Sequence, residues 1–320
     1  MQSGVEIQKM KKSFDEQYID LVSDILSSGE ETDNRTGVNT LFKIGHEFVL
    51  DCSDSFPLLT TKRVFWKTAF AEMLGFIRGY TDASDFRKIG CSVWDKDANE
   101  NQDWLKSGFR LGKDDCGRIY GKNWRQWYVG RNSLYIDQLQ MVVDDLSKRI
   151  DNRREIVTAW NPGEMEFFDY SHNRIEPSMM SLPPCHMTMV FSLVNQKTTL
   201  DLFVLQRSWD LFLGNPFNIA QYAFLLHLIA HLTGLKVGTL RYYGVNVHIY
   251  IPHIPLLNEQ ISRNPKEQKP QIAFKYLPRS LSDLEKEPFD KISDWVEILN
   301  YDPHPAIKGE MYTTQEIKNA

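Results

Sequence analysis

The chain has 320 residues, 42% of them hydrophobic and 12% aromatic, which is enough to build a large core in one domain or two. Its 37 Lys and Arg against 42 Asp and Glu give a net charge of −5, which excludes a broad basic surface of the kind that binds polyanions. Any phosphate ligand must therefore be held by a few converging cations. The four cysteines (Cys52, Cys91, Cys116 and Cys185) lie far apart, with no CxxC pair and no zinc spacing, so neither a disulfide framework nor a metal is expected. The opening MQSGVEIQKMKKSF has no long apolar run, so no secretory leader is expected, and the reading is a reduced, cytoplasmic protein without membrane or DNA partners.

Taken along the chain, apolar residues recur at helical spacing over 13–29 and 65–79, and again over 136–150 with Asn152 as a stop signal. The polar stretches 107–117 and 264–270 are expected to be surface loops. Residues 187–194 and 199–206 are rich in apolar and β-branched side chains and flank the short turn Asn195-Gln196-Lys197, which predicts a hairpin. The run PFNIAQYAFLLHLIAHLTGLK predicts a buried helix, with Pro216 near its start and Gly234 at its end. A third strand is expected over 241–251. Helices and strands alternate without regular βαβ spacing, so the fold class is α+β.

Several residues in this frame carry chemistry. In SLPPCHM, residues 181–187, two prolines stiffen the chain directly before Cys185 and His186. The pair is either a buried cysteine at a strand start or a nucleophile held in place, which a nearby cation would activate. In QRSWDLFLGNPFNIA, residues 206–220, Arg207 and Ser208 suit an oxyanion, while Asn218 can both donate and accept, as the edge of a uracil-like ring requires. Equally, Asp210 or Asn218 could simply cap the helix. Arg35, Arg153 and Arg154 are further cations that either bind an anion or remain solvated. Glu72, set among Ala71, Met73 and Leu74, must be paired or functional if buried. His227 and His231 lie four apart, but no Glu accompanies them and no metal role is expected.

As a set, the residues resemble the thymidylate synthase family from about 13 to 311. RTG (35–37), FPLLTTKR (56–63), YGKNWR (120–125), RREIVTAWNP (153–162), LPPCH (182–186), QRSWDLFLGNPFNIA, VHIY (247–250) and DPHPAIK (302–308) follow one another in the family's order. The resemblance implies one catalytic domain spanning 1–320, with extensions at 1–12 and 312–320, and a mixed sheet packed by helices with one face at a dimer interface. It also implies transfer of a one-carbon unit from 5,10-methylenetetrahydrofolate to C5 of dUMP with reduction, giving dTMP and dihydrofolate.

By the same resemblance, Cys185 attacks C6, while Glu72, Tyr120 and His186 form the network that moves protons. Arg35, Arg207 and Ser208 hold the phosphate, joined by Arg153 and Arg154 from the other subunit of a homodimer. His248 and Tyr250 hold the ribose, and Asn218 favours dUMP over dCMP. Trp94, Asp210 and Gly214 lie on the folate side, with Lys62 near the folate glutamate. Arg207, Asp210 and Asn218 count among the catalytic residues as well.

Three features depart from the family pattern. Val190 stands where a polar residue behind the thiol is usual, Gly75 where a tryptophan is common, and YTTQEIKNA extends the end. If that extension admits water before hydride transfer, the product becomes 5-hydroxymethyl-dUMP, so dUMP hydroxymethylase is the alternative activity. An inactive nucleotide- or RNA-binding homologue is a third reading, against which the acidic balance and the intact site residues stand.

Overall fold

The computed structural model describes residues 12–130 and 134–312, so the 1–11 part of the N-terminal extension and nearly all of the C-terminal one lie outside the described residues. The longer helices are α1 (Phe14–Ser28), α2 (Trp66–Ile77), α3 (Gln138–Ser147) and α4 (Gly214–Leu232). The main sheet contains β1 (Glu30–Thr32), β2 (Thr40–Asp51), β3 (Ile156–Thr158), β4 (His186–Val194), β5 (Thr199–Asp210) and β6 (Lys236–Tyr250). Its spatial order is β1-β2-β6-β5-β4-β3. Only the central pair β5 and β6 is parallel, and α4 makes the crossover that a parallel pair needs. The α+β expectation therefore holds, with a mixed sheet.

The register shows that the two faces of this sheet differ. Val157, Met189, Val204, Tyr242 and Phe48 pair in sequence from β3 across to β2, and all five are buried. One position along, Ile156, Val190, Phe203, Arg241 and Val49 pair in the same way, and none of them is buried. Paired residues share a face, so one face is packed by this chain and the other is open. Ile156 is exposed to 43%. Val190, paired with Ile156 and Phe203, lies on that open face and does not line the cavity described below.

On the packed face, α4 is buried nearly all round, and Phe224 stacks on Phe70 of α2 with ring centroids 4.3 Å apart. α1 begins with a capping box between Ser13 and Glu16, and the Tyr18 hydroxyl donates to the Leu211 carbonyl at 2.8 Å. Two predicted boundaries shift. β5 runs past 206 to Asp210, so Arg207 and Ser208 lie inside the strand, and β6 begins at Lys236 rather than 241. β2 was not anticipated at all. The hairpin turn carries positive φ at all three of Asn195, Gln196 and Lys197.

Candidate active site

A cavity of about 510 Å³ opens where the C-terminal ends of β5 and β6, the start of β4 and the first turns of α4 meet α2. Cys185, His186, Glu72, Tyr120, Asn218, Asp210, Gly214, Ser208, His248, Tyr250, Arg35, Lys62 and Trp94 all line it. Residues from eight stretches of chain thus converge on one space.

The stiff segment before the cysteine is held from behind. The Arg207 guanidinium donates to the carbonyls of Pro184 (3.0 Å) and Pro183 (3.1 Å), and the Arg207 backbone N–H donates to the Cys185 carbonyl at 2.8 Å. The same guanidinium reaches 3.9 Å from the Cys185 Sγ. Arg207 does not line the cavity; it forms part of the wall behind the thiol, with Trp160 beside it. The Cys185 backbone N–H donates to the Tyr120 hydroxyl at 2.8 Å, and the Tyr120 ring stacks on His186 at 4.1 Å. His186 Nδ1 lies 2.6 Å from the Tyr222 hydroxyl. Burial pushes the imidazole down to about 3, so His186 is neutral near pH 7.

Glu72 occupies the opposite wall. Burial raises its carboxyl to about 7, against opposing hydrogen bonding from Gln221. A buried acid titrating near neutrality can both take and return a proton, which is the tuning that general acid–base work needs. Gln221 Nε2 donates to Glu72 Oε2 at 2.6 Å, and Gln221 Oε1 accepts from Asn218 Nδ2 at 3.1 Å. Asn218 Oδ1 accepts from Gln206 Nε2 at 3.3 Å, and Gln206 Oε1 accepts from the Tyr242 hydroxyl. One chain of amides links the acid to Asn218.

Asp210 accepts the N–H groups of Phe212 (2.9 Å), Leu213 (3.1 Å) and Gly214 (3.2 Å), bracing the turn that leads into α4, while still lining the cavity. The N-cap position itself is Leu213, so neither Asp210 nor Asn218 is the helix cap. Lys62 is buried, and its ammonium donates to the Phe212 carbonyl and sits 3.8 Å over the Phe212 ring. Burial lowers it to about 7. The neighbouring Arg63, exposed at the mouth, is the freer cation. The mouth is bordered by Ile307, Gly309, Met311 and Tyr312; His253 Nε2 lies 2.9 Å from the Glu310 carbonyl, and the Tyr312 ring packs on Tyr250 at 5.0 Å.

Arg153 and Arg154 are exposed, just before β3, and do not line this cavity. Sequence reasoning missed Gln206, Gln221, Tyr222 and Asp97. Gln221 could have been noticed at three positions after Asn218, on the same helix face. Asp97, raised to about 6 by burial, stands three after Trp94 in the cavity wall.

A family model described as thymidylate synthase matches residues 16–313. The chain belongs to the thymidylate synthase family. It is 42% identical over 295 residues to the thymidylate synthase of Shewanella halifaxensis (strain HAW-EB4), covering 91% of this chain and 98% of that one. It is 39% identical over 304 residues to the thymidylate synthase of Homo sapiens (92% and 90%). The corresponding protein of Aliivibrio fischeri (strain ATCC 700601 / ES114) is 42% identical over 297 residues (91% and 98%). At Gly75, where the family resemblance leads us to expect a tryptophan, there is no room for one: a Cβ would fall 2.2 Å from Phe86 Cε1. The Phe86 ring fills that space instead.

Proposed function

We propose that this member of the thymidylate synthase family converts dUMP and 5,10-methylenetetrahydrofolate into dTMP and dihydrofolate. The observation that carries the reading is Cys185, half-buried in the cavity, 3.9 Å from the Arg207 guanidinium and facing the amide network that joins Asn218 to Glu72.

Cys185 as thiolate adds to C6 of dUMP, and the electron pair displaced onto C5 attacks the folate methylene carbon. The C5 proton then leaves through the Glu72, Tyr120 and His186 network, and tetrahydrofolate departs by β-elimination. The exocyclic methylene takes hydride from that tetrahydrofolate, and the thiolate is expelled from C6. Atoms balance as dTMP plus dihydrofolate, with no external reductant. A neutral His186 suits this scheme, because it stabilises charge at the ring O4 by hydrogen bonding without adding a cation beside the thiolate.

Arg35, Arg207 and Ser208 hold the phosphate, His248 and Tyr250 the ribose, and Asn218 the N3–O4 edge of the base. Trp94, Asp210 and Gly214 bound the folate side, and the apolar Val93, Leu182 and Phe217 offer a surface to its rings. Lys62 and Arg63 supply positive charge towards its glutamate, with Arg63 the more accessible of the two.

The open sheet face is the homodimer surface in this reading. Phe203, Ile156 and Val190 give it an apolar character that a second copy would cover, and Arg153 and Arg154 would then be donated across the interface to the phosphate. One catalytic domain spans the chain. Among the described residues no helix is long and apolar enough to cross a membrane. Four free cysteines fit the cytosol. Hydroxymethylation is not favoured: its support was the segment after Met311, which lies almost wholly outside the described residues, and the curated relatives are synthases.

The test supplies both substrates, follows dihydrofolate by absorbance and identifies the nucleotide by mass. Dihydrofolate and dTMP in equal amounts are expected. A product heavier by one oxygen, without dihydrofolate, overturns the reading.

A further inference from the structure

We propose that Gln221 is a specificity-determining residue: by fixing which way the Asn218 amide faces, it makes the cavity read uracil and refuse cytosine. The inference rests on the assignment of Asn218 to the edge of the base. An asparagine alone cannot make this choice, because its oxygen and nitrogen exchange places by a rotation that costs little in solvent, and the two orientations suit different bases.

In this chain the rotation is blocked by direction. Above about pH 7 Glu72 is ionised and can only accept, so there the 2.6 Å bond from Gln221 Nε2 fixes which end of Gln221 faces it. The Gln221 oxygen must then point the other way, where it lies 3.1 Å from Asn218 Nδ2. Asn218 in turn presents its oxygen to Gln206 Nε2 at 3.3 Å. Gln206 is held as well, donating to the Ser208 carbonyl at 2.7 Å and accepting from the Tyr242 hydroxyl. Gln206, Gln221 and Tyr242 are all buried, so water cannot relieve a reversed amide.

Each end of Asn218 spends one bond on the protein, which leaves one N–H and one oxygen lone pair for the cavity. Uracil matches that pair, since O4 accepts and N3–H donates. Cytosine sets its amino group against an N–H and its bare N3 against an oxygen. Turning Asn218 to suit cytosine would oppose oxygen to oxygen at Gln221 and nitrogen to nitrogen at Gln206, and buried unpaired groups of this kind are costly.

The test is Gln221→Met, which keeps side-chain volume and removes both bonds. Steady-state kcat/KM and competition binding are measured for dUMP and dCMP with the unaltered protein and the variant. The expected result is a fall in the dUMP-to-dCMP preference by roughly tenfold to a hundredfold. A loss shared equally by both nucleotides, with the preference intact, overturns the inference and leaves the function untouched. An unaltered protein that does not prefer dUMP overturns the role of Asn218 along with it. Should the variant fail to melt cooperatively, a high-resolution structure of the unaltered protein with dUMP decides: the Gln221–Asn218 bond is expected to persist, and its loss overturns the inference.

Discussion

In the proposed mechanism the chemistry turns on Cys185, and its replacement should separate binding from reaction. Cys185→Ser should retain dUMP binding, because the phosphate, ribose and base contacts are untouched, while turnover falls by on the order of a thousandfold or more. Retained turnover would remove Cys185 from the mechanism. Glu72 makes a prediction with two signs. Its carboxyl is raised from 4.5 to about 7 in the folded protein, so the folded state binds this proton more tightly than the unfolded chain. Its contribution to stability is therefore full below about pH 4.5, declines between 4.5 and 7, and stays low above. Glu72→Gln should raise the melting temperature at pH 8, by on the order of 3 kcal/mol in stability, while abolishing activity. In the unaltered enzyme kcat/KM should fall below about pH 7 as the base is protonated. A less stable variant at pH 8 would show the carboxylate to be a net stabiliser. At this scale the sequence disclosed what sits in short contiguous motifs, Cys185, Arg207 and Asn218 among them. Gln221 stayed hidden because the partner that defines it lies 149 positions away.

Among the elements, α2 offers the sharpest test. Gly→Ala inside a helix ordinarily stabilises by about 1 kcal/mol. At Gly75 the sign should reverse, because the new Cβ would meet Phe86 Cε1 at 2.2 Å, and overpacking of that kind costs about 1–3 kcal/mol. Gly75→Ala should lower the melting temperature by several degrees, and adding Phe86→Leu should recover part of the loss. A Gly75→Ala protein of raised stability would show that the ring moves aside freely. The helices and the central strands were legible from period and punctuation. β2 was not, for two reasons on the page: Lys43, His46 and Glu47 interrupt its apolar pattern, and Gly45 sits at φ +78 where the ladder with β6 skips Gly45 and Val245. The end of β5 was set too early because Arg207, Ser208 and Asp210 resemble loop chemistry, yet the strand carries them directly into the cavity.

At the scale of the whole molecule, β5 already held a clue to assembly. Leu200, Leu202 and Val204 face inwards, and Phe203 and Leu205 also make the opposite face apolar, which is the pattern of a strand covered on both sides. A single copy covers one. If Arg153 and Arg154 serve the neighbouring site, two dead variants should repair each other. Cys185→Ser protein mixed with an Arg153→Glu, Arg154→Glu variant would form hybrids in which one site has both its cysteine and its arginines. After subunit exchange the mixture should regain up to about a quarter of normal activity. Activity no greater than the sum of the two parents would place those arginines elsewhere. Beyond that pattern in β5, the expectation of a homodimer came from the family resemblance, because exposure on one face cannot be known before the other face has been packed.

The four cysteine thiols are unequal in a way that outlasts catalysis. Cys52, Cys91 and Cys116 are buried, and burial pushes their thiols upward, that of Cys52 to about 12, whereas Cys185 alone is half-open to the cavity. An alkylating reagent applied to the folded protein therefore meets one competent target per chain. The count of labels taken up is a census of intact sites.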